Sequence, residues 1–298
     1  MRVATSMMYS FVRNSLADIT RDLNDASETV ITGKRINALS DDPMDMVKAQ
    51  GIKSTLNGLT QLERGISVGN NWLTASENAL TQAQDLISES KTLALQMANA
   101  PISLENRKDA AVMVQHIEEQ MMSLANTRVE DRYIFSGNHT DTPSFAVETD
   151  ETDDTIKEIV YQGDDQPFSI KLGTDTKIEI GGDGDKIFSK VFDTLDAFKT
   201  ALDDNNLEGI NTAIEDLENR FTDLNREIAG VGSKMTHLDM KSSIFQEMQI
   251  SETERLSNME DADIIAAITH LEQIQMSYQA AMSSSSKLMS MNLLDYLK

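Results

Sequence analysis

The sequence predicts a mainly α protein: a long antiparallel helical coiled-coil bundle formed by the N- and C-terminal regions, carrying a small central β-rich domain. Three observations predict it. Apolar residues recur in alternating steps of three and four at both ends of the chain, which is the seam of a helix packed on helices. Aromatics make up only 5% and proline only 4 of 298 residues, while Ala, Leu, Met, Gln and Glu abound, a composition that favours long helices over sandwiches or barrels. Helical periodicity then lapses once, after "RYIFSGNHTDTPSF", where Gly, Asn, Thr and Pro cluster.

The first helix carries Val12, Leu16, Ile19, Leu23, Ala26 and Val30 on one face, and Gly33 stops it. The connector that follows, "GKRINALSDDP", is tested first as a phosphate loop, because Gly33-Lys34 is half of one. It lacks the earlier glycine and the preceding strand, and Arg35 stands where Ser or Thr is needed, so that reading fails. A plainer reading holds: Asp41 or Asp42 caps the next helix with Pro43 in its first turn, the cations Lys34 and Arg35 lie near one helix's negative end, and the anions near the other's positive end.

The second helix shows Ile52, Leu59, Ile66, Leu73, Leu80, Ile87 and Ala94 at every seventh position until "ANAP", about 80 Å if unbroken. Gly51, Gly58, Gly65 and Gly69 predict a bend or an extended stretch between Asp41 and Gly69. Ser103 caps a third helix with the seam Ala110, Val114, Ile117, Met121 and Leu124, and its methionines and those of the second helix read as core filler. "IKEIVYQ", "FSIKL" and "TKIEI" read as hairpin strands, with the acidic "ETDETDD" as a solvated loop. "GGDGDKI" is one defective copy of a calcium β-roll repeat, with Lys186 in place of the acid, and reads as a turn. A short helix spans Ile187 to Leu202. The seam returns from Leu207 through Ile210, Ile214, Leu217, Phe221, Leu224, Ile228, Val231, Met235 and Leu238, weakening through Phe245 and Leu256. A terminal helix carries Ile264, Ile268, Leu271, Tyr278 and Met282, its face widened by Ala267, Ile274, Ala281 and Leu288.

No constellation for catalysis emerges. The four histidines stand far apart, no HExxH pair or G-x-S-x-G elbow occurs, and cysteine is absent, so neither a metal, a cofactor nor an enzyme is expected. A net charge of -23 argues against nucleic acid and anionic membranes as partners. No signal-peptide core and no membrane span is legible. The terminal seams are interrupted by Ser15, Gln275, Ser284, Ser285, Ser286 and Asn292; such segments are marginal alone and order when partners cover them.

"TGKRINALSDDP" near the N-terminus, with "AGVGSKMTHLD" and "EDADI" near the C-terminus, resembles the flagellin superfamily. Pro43 after the paired aspartates, the entry "RYIFSG" into the variable region and a single short β excursion are more similar to its hook-filament junction branch, the third hook-associated proteins. The resemblance implies a structural protein exported through the flagellar type III apparatus with an export chaperone. It further implies a ring of copies in the extracellular flagellum, placed between the first hook-associated protein and flagellin.

On that resemblance the chain divides into an assembly helix at 1–40 that forms an inner tube with 262–298, a rod domain at 41–134 and 187–261, and a variable β domain at 135–186. Its assembly interface falls on Val12, Leu16, Ile19, Leu23, Ile264, Ile268, Leu271, Ile274, Tyr278 and Met282. Gly33, Lys34, Arg35, Asn37, Asp41, Asp42 and Pro43 form the connector, with charges available to a neighbouring subunit. A short flagellin forming the filament itself is the alternative, and outside the family a cytosolic coiled-coil scaffold or chaperone.

Overall fold

The computed structural model describes residues 2–99, 102–150, 153–173 and 176–290. Residues 291–298 of the expected terminal assembly segment, Asn292 among them, lie outside these, as do the side chain of Leu288 and parts of "ANAP", "ETDETDD" and the "GTD" turn. Among the described residues six α-helices run in the order α1 (Arg2–Thr32), α2 (Pro43–Met97), α3 (Leu104–Ala125), α4 (Lys190–Asp203), α5 (Leu207–Glu260) and α6 (Ile264–Ser290). Between α3 and α4 lie three two-stranded antiparallel hairpins and a π-helical turn, Asp185–Ser189. The protein is thus mainly α with a small β region, as its composition and seams imply.

The chain divides into two compact units, residues 60–246 and residues 1–59 with 247–298, and α2 and α5 contribute to both. In the first of these, α2 and α5 run antiparallel: Lys91 pairs with Glu218, and Asn70 donates to Asp239 at 3.3 Å. The seam residues Ile66, Leu73, Leu80, Ile87, Ile210, Leu217, Leu224 and Leu238 are buried, as the heptad reading requires. Ile214 is only half-buried. The α3 helix is capped by the Ser103 hydroxyl, which accepts from the Asn106 amide at 3.2 Å, and it packs on α4.

The β region departs from the expected pairing. Hairpin β1 (Arg128–Val129) and β2 (Arg132–Tyr133) turns through Glu130, whose φ of 53° is left-handed. Strand β4 (Asp153–Tyr161), which holds "IKEIVY", pairs with β3 (Phe145–Asp150) and not with "FSIKL". Much of the acidic run read as a loop is therefore ladder, with Glu148 opposite Glu158. The reason lies in burial: Phe145 is 2% exposed, packed with Tyr161 and Phe192, and this anchors the strand at its apolar end. Strands β5 (Ser169–Lys171) and β6 (Lys177–Glu179) form the third hairpin. Phe168, just before β5, stacks on the buried Trp72 at 4.9 Å and ties the hairpin to α2.

The extended stretch allowed for between Asp41 and Gly69 does not form beyond the connector, because α2 is helical without interruption from Pro43. Each glycine costs about 1 kcal/mol against alanine, and buried Ile52, Leu59 and Ile66 at heptad spacing outweigh that. Gly69 has its own reason: a Cβ there would stand 2.6 Å from Ile170 Cδ1 and 3.0 Å from Leu238 Cδ1. Reading the methionines of α2 and α3 as filler is right for Met121, which is fully buried, and wrong for Met44 and Met113, which are exposed.

Candidate assembly interface

In the unit formed by 1–59 and 247–298, α1 packs along α6. Their start and end are joined by a backbone bridge: Lys34 and Asp261 pair antiparallel, and the Ala262 amide donates to the Gly33 carbonyl at 2.9 Å. Gly33 adopts a φ of 70° that ends α1, and a Cβ on it would meet Ile264 at 3.8 Å. From that bridge the two helices run back antiparallel, and each carries apolar positions in steps of three and four along the side that meets the other. The burial pattern marks this seam. Val12, Ala26 and Ser285 are buried, and Leu16, Ile19, Leu23, Val30, Ala267, Leu271, Ile274, Tyr278 and Ala281 are half-buried.

The residues expected at the assembly interface therefore fall on two faces. Val12, Leu16, Ile19, Leu23, Leu271, Ile274 and Tyr278 line the α1–α6 seam within the chain. Ile264, Ile268 and Met282 do not; they are 41%, 43% and 47% exposed. With Ile265 and Met276 they make an apolar strip beside the seam, about a quarter-turn around α6 at 100° per residue. On α1, Met7, Phe11 and Ile31 stand clear as well, Phe11 at 73% exposed. An isolated two-helix pair with its second face this apolar is an unfinished surface.

The connector residues are brought together, and largely by one another. Asp42 caps α2, its Oδ1 accepting the amides of Met44 at 3.1 Å and Asp45 at 3.0 Å, with Pro43 in the first turn. Asp41 Oδ2 accepts the amides of Asn37 and Ala38 at 3.0 and 2.8 Å, which hold its carboxyl below the usual carboxylate range and close the loop over buried Ile36. The Asn37 side chain donates to the Lys34 carbonyl at 3.1 Å. Asp263 caps α6 through the amides of Ile265 and Ala266.

The two cations, which the resemblance offered to a neighbouring subunit, are engaged within the chain. Lys34 meets Glu260 at 2.9 Å, and Arg35 donates to the Met259 carbonyl at 2.9 Å while lying 3.5 Å from Asp45 and 3.9 Å from Asp42. Glu260, with Lys53 on its other oxygen, is the residue that sequence reasoning missed. The signal was present in "EDADI", an acid as the last residue of a long helix, where the macrodipole disfavours it. Burial is the largest single influence on its carboxyl and pushes it up. Hydrogen bonds and charges from Lys53 and Lys34 outweigh burial and leave it below the usual range.

Among the described residues there is no group of three or more acids and histidines placed to hold a metal, and no helix long and apolar enough to cross a membrane. The cleft beside the π-helical turn, about 330 Å³, is lined by Asp185, Lys190, Asp223, Arg226 and Glu227, and two of these charges pair with each other, Arg226 with Asp223 at 3.0 Å.

Paired terminal helices with an uncovered apolar strip, joined by capped connectors to a pair of long antiparallel helices, define a class: a coiled-coil protein whose two chain ends form one element. Comparison with known proteins makes this particular. The bacterial flagellin N-terminal helical region matches residues 3–140, and the flagellin C-terminal helical region matches residues 214–297. The chain belongs to the bacterial flagellin family.

Its relatives include flagellar hook-associated protein 3 of Salmonella typhimurium, 24% identical over 98% of both chains. The Escherichia coli protein of the same name is 22% identical over the full length of both. A Vibrio parahaemolyticus structure assigned as a flagellar hook-associated protein shares the fold, with a TM-score of 0.67 at 16% identity over 74% of this chain and 100% of that one.

Proposed function

We propose that this chain is a structural adaptor of the bacterial flagellum, joining the hook, through the first hook-associated protein, to the flagellin filament. One observation carries the reading: proteins named flagellar hook-associated protein 3 match 98% and 100% of this chain, over 98% and 100% of their own length. On this reading copies assemble as a ring, the α1–α6 pairs forming the inner coiled-coil tube and the exposed strip of Ile264, Ile265, Ile268, Met276 and Met282 packing against neighbours.

The segment 1–40 with 262–298 is then the tube, 41–134 with 187–261 the rod, and 135–186 the variable domain. Export proceeds through the flagellar type III apparatus with a dedicated chaperone, and the site of action is the extracellular hook-filament junction. No catalytic step is assigned to it. The apolar strip supports this reading physically, because about 25 cal/mol per Å² of apolar surface becomes available when copies cover it.

The test is deletion of the gene and complementation by the full chain. A junction protein leaves hooks bare while monomeric flagellin accumulates in the medium, and complementation restores filaments. If the chain were itself a short flagellin, the deletion strain would shed no flagellin.

A further inference from the structure

Glu260 occupies a position that opposes a carboxylate twice over. It is the last residue of α5, facing that helix's own negative end, and it is 2% exposed. What offsets both is a pair of cations from two different segments: Lys34 of the first connector at 2.9 Å from Oε2, and Lys53 of α2 on Oε1. The backbone around it is bound crosswise. The Arg35 amide donates to the Glu260 carbonyl at 2.6 Å, the Ala262 amide to the Gly33 carbonyl at 2.9 Å, and the Arg35 guanidinium to the Met259 carbonyl at 2.9 Å.

The other charges nearby are engaged elsewhere: Asp261 with Ser257, Asp263 with the first amides of α6, and Asp42 and Asp45 with Arg35. Among the described residues, Glu260 is the one carboxylate within ion-pair range of Lys34 or of Lys53.

We propose that Glu260 is a positioning residue, a two-cation clamp that holds both connectors in register and so fixes how α1 and α6 depart from the first turns of α2 and the last turns of α5. The two lysines share one acceptor. Losing that acceptor frees both, and the crosswise backbone bonds at residues 33–35 and 260–262 open together while the helices themselves persist. Gln keeps the shape of Glu and removes the charge, so E260Q isolates the electrostatic part. The inference goes beyond the junction reading and does not depend on it.

Amide hydrogen exchange at pH 7, read by mass spectrometry on the full-length protein, tests it with four chains: the parent, E260Q, K34Q/K53Q, and the triple variant. In E260Q, peptides covering 33–42 and 259–264 exchange about ten-fold faster or more, and peptides within 60–246 are unchanged. In the K34Q/K53Q background, E260Q adds no further acceleration, because its effect runs through those lysines. Three results overturn the proposal: parental protection of both connectors in E260Q, full acceleration by E260Q in chains already lacking the lysines, or acceleration spreading through residues 60–246.

Discussion

The guanidinium of Arg107, on the first turn of α3, donates to the side-chain oxygen of Asn205, the left-handed residue that follows α4, and so ties the start of one helix to the end of another. The same guanidinium donates to the carbonyls of Met97 at 3.2 and 3.1 Å and Asn99 at 3.1 Å, at the C-terminal end of α2. A buried cation satisfied by carbonyls at a helix C-terminus is stabilised by the macrodipole and by four hydrogen bonds at once.

Replacing Arg107 by Met keeps much of the volume and leaves those carbonyls orphaned, since Arg107 is 3% exposed and water has little access. The expected cost is about 3–5 kcal/mol. Arg107→Lys retains the charge but not the fork and recovers only part of it. Urea unfolding followed by Trp72, the chain's one tryptophan and buried in the same unit, measures both. A midpoint unchanged in Arg107→Met would show that the carbonyls find other donors.

Glycine substitutions separate glycines used for packing from glycines that are merely present. Gly51 and Gly58 have nothing within 4 Å of an added Cβ, and both have ordinary helical backbone, so Ala at both should stabilise the monomer by up to about 1 kcal/mol each. Gly69→Ala gains the same helix propensity but presses on Ile170 and Leu238, and overpacking costs about 1–3 kcal/mol. Thermal melts should rise for Gly51→Ala and Gly58→Ala, and stay level or fall for Gly69→Ala.

The helices and seams were legible because heptad spacing, caps and breakers are local signals: Gly33, Ser103 and the aspartates before Pro43 each act where their neighbours in sequence place them. The hairpin partner of β4 was not, because "FAVETD" looks acidic and loop-like until Phe145 is seen packed on Phe192 of α4. The split of Ile268 from Leu271 was hidden for a related reason. Periodicity locates an apolar stripe but not its centre, and three residues along α6 separate a side chain on α1 from one left uncovered. Glu260 is harder still, since its role needs Lys34 and Lys53, which only the fold brings to it.

Acid should loosen the connectors. The Glu260 carboxyl lies below its ordinary value of 4.5 in the folded chain, so its contribution is fully present above about that pH and is lost as pH falls through the lowered folded value. Glu118 has the opposite sign. Burial raises its carboxyl against the pull of Lys199, so its protonation on acidification favours the folded state. Hydrogen exchange of residues 33–42, corrected for the intrinsic pH dependence, should show protection falling below pH 4.5 in the parent and much less change in E260Q. An equal fall in both would assign the acid response to Asp41 and Asp45, which are also held below their usual range.

The two faces of α6 should respond differently to charge. Ile265 and Ile268 are exposed, at 81% and 43%, so Ile265→Asp with Ile268→Asp places two carboxylates in water and should leave the isolated protein's helix content and Trp72 emission near the parent's. Leu271 and Ile274 are half-buried along the α1 seam, and Asp at both should melt the terminal pair, with helical circular dichroism lost. Trp72 emission should not move, because that residue belongs to the other compact unit. Leu217→Asp is the opposing control: it strikes a fully buried position in that unit and should shift Trp72 emission to the red. In cells the exposed-face variant meets its cost on assembly, where covering an unpaired carboxylate takes several kcal/mol or forces it to bind a proton. Hooks should then stay bare, and flagellin should appear in the medium, although the protein itself is folded. Normal filaments on the Ile265→Asp, Ile268→Asp chain would show that this strip faces solvent in the assembled structure and that copies meet through other surfaces.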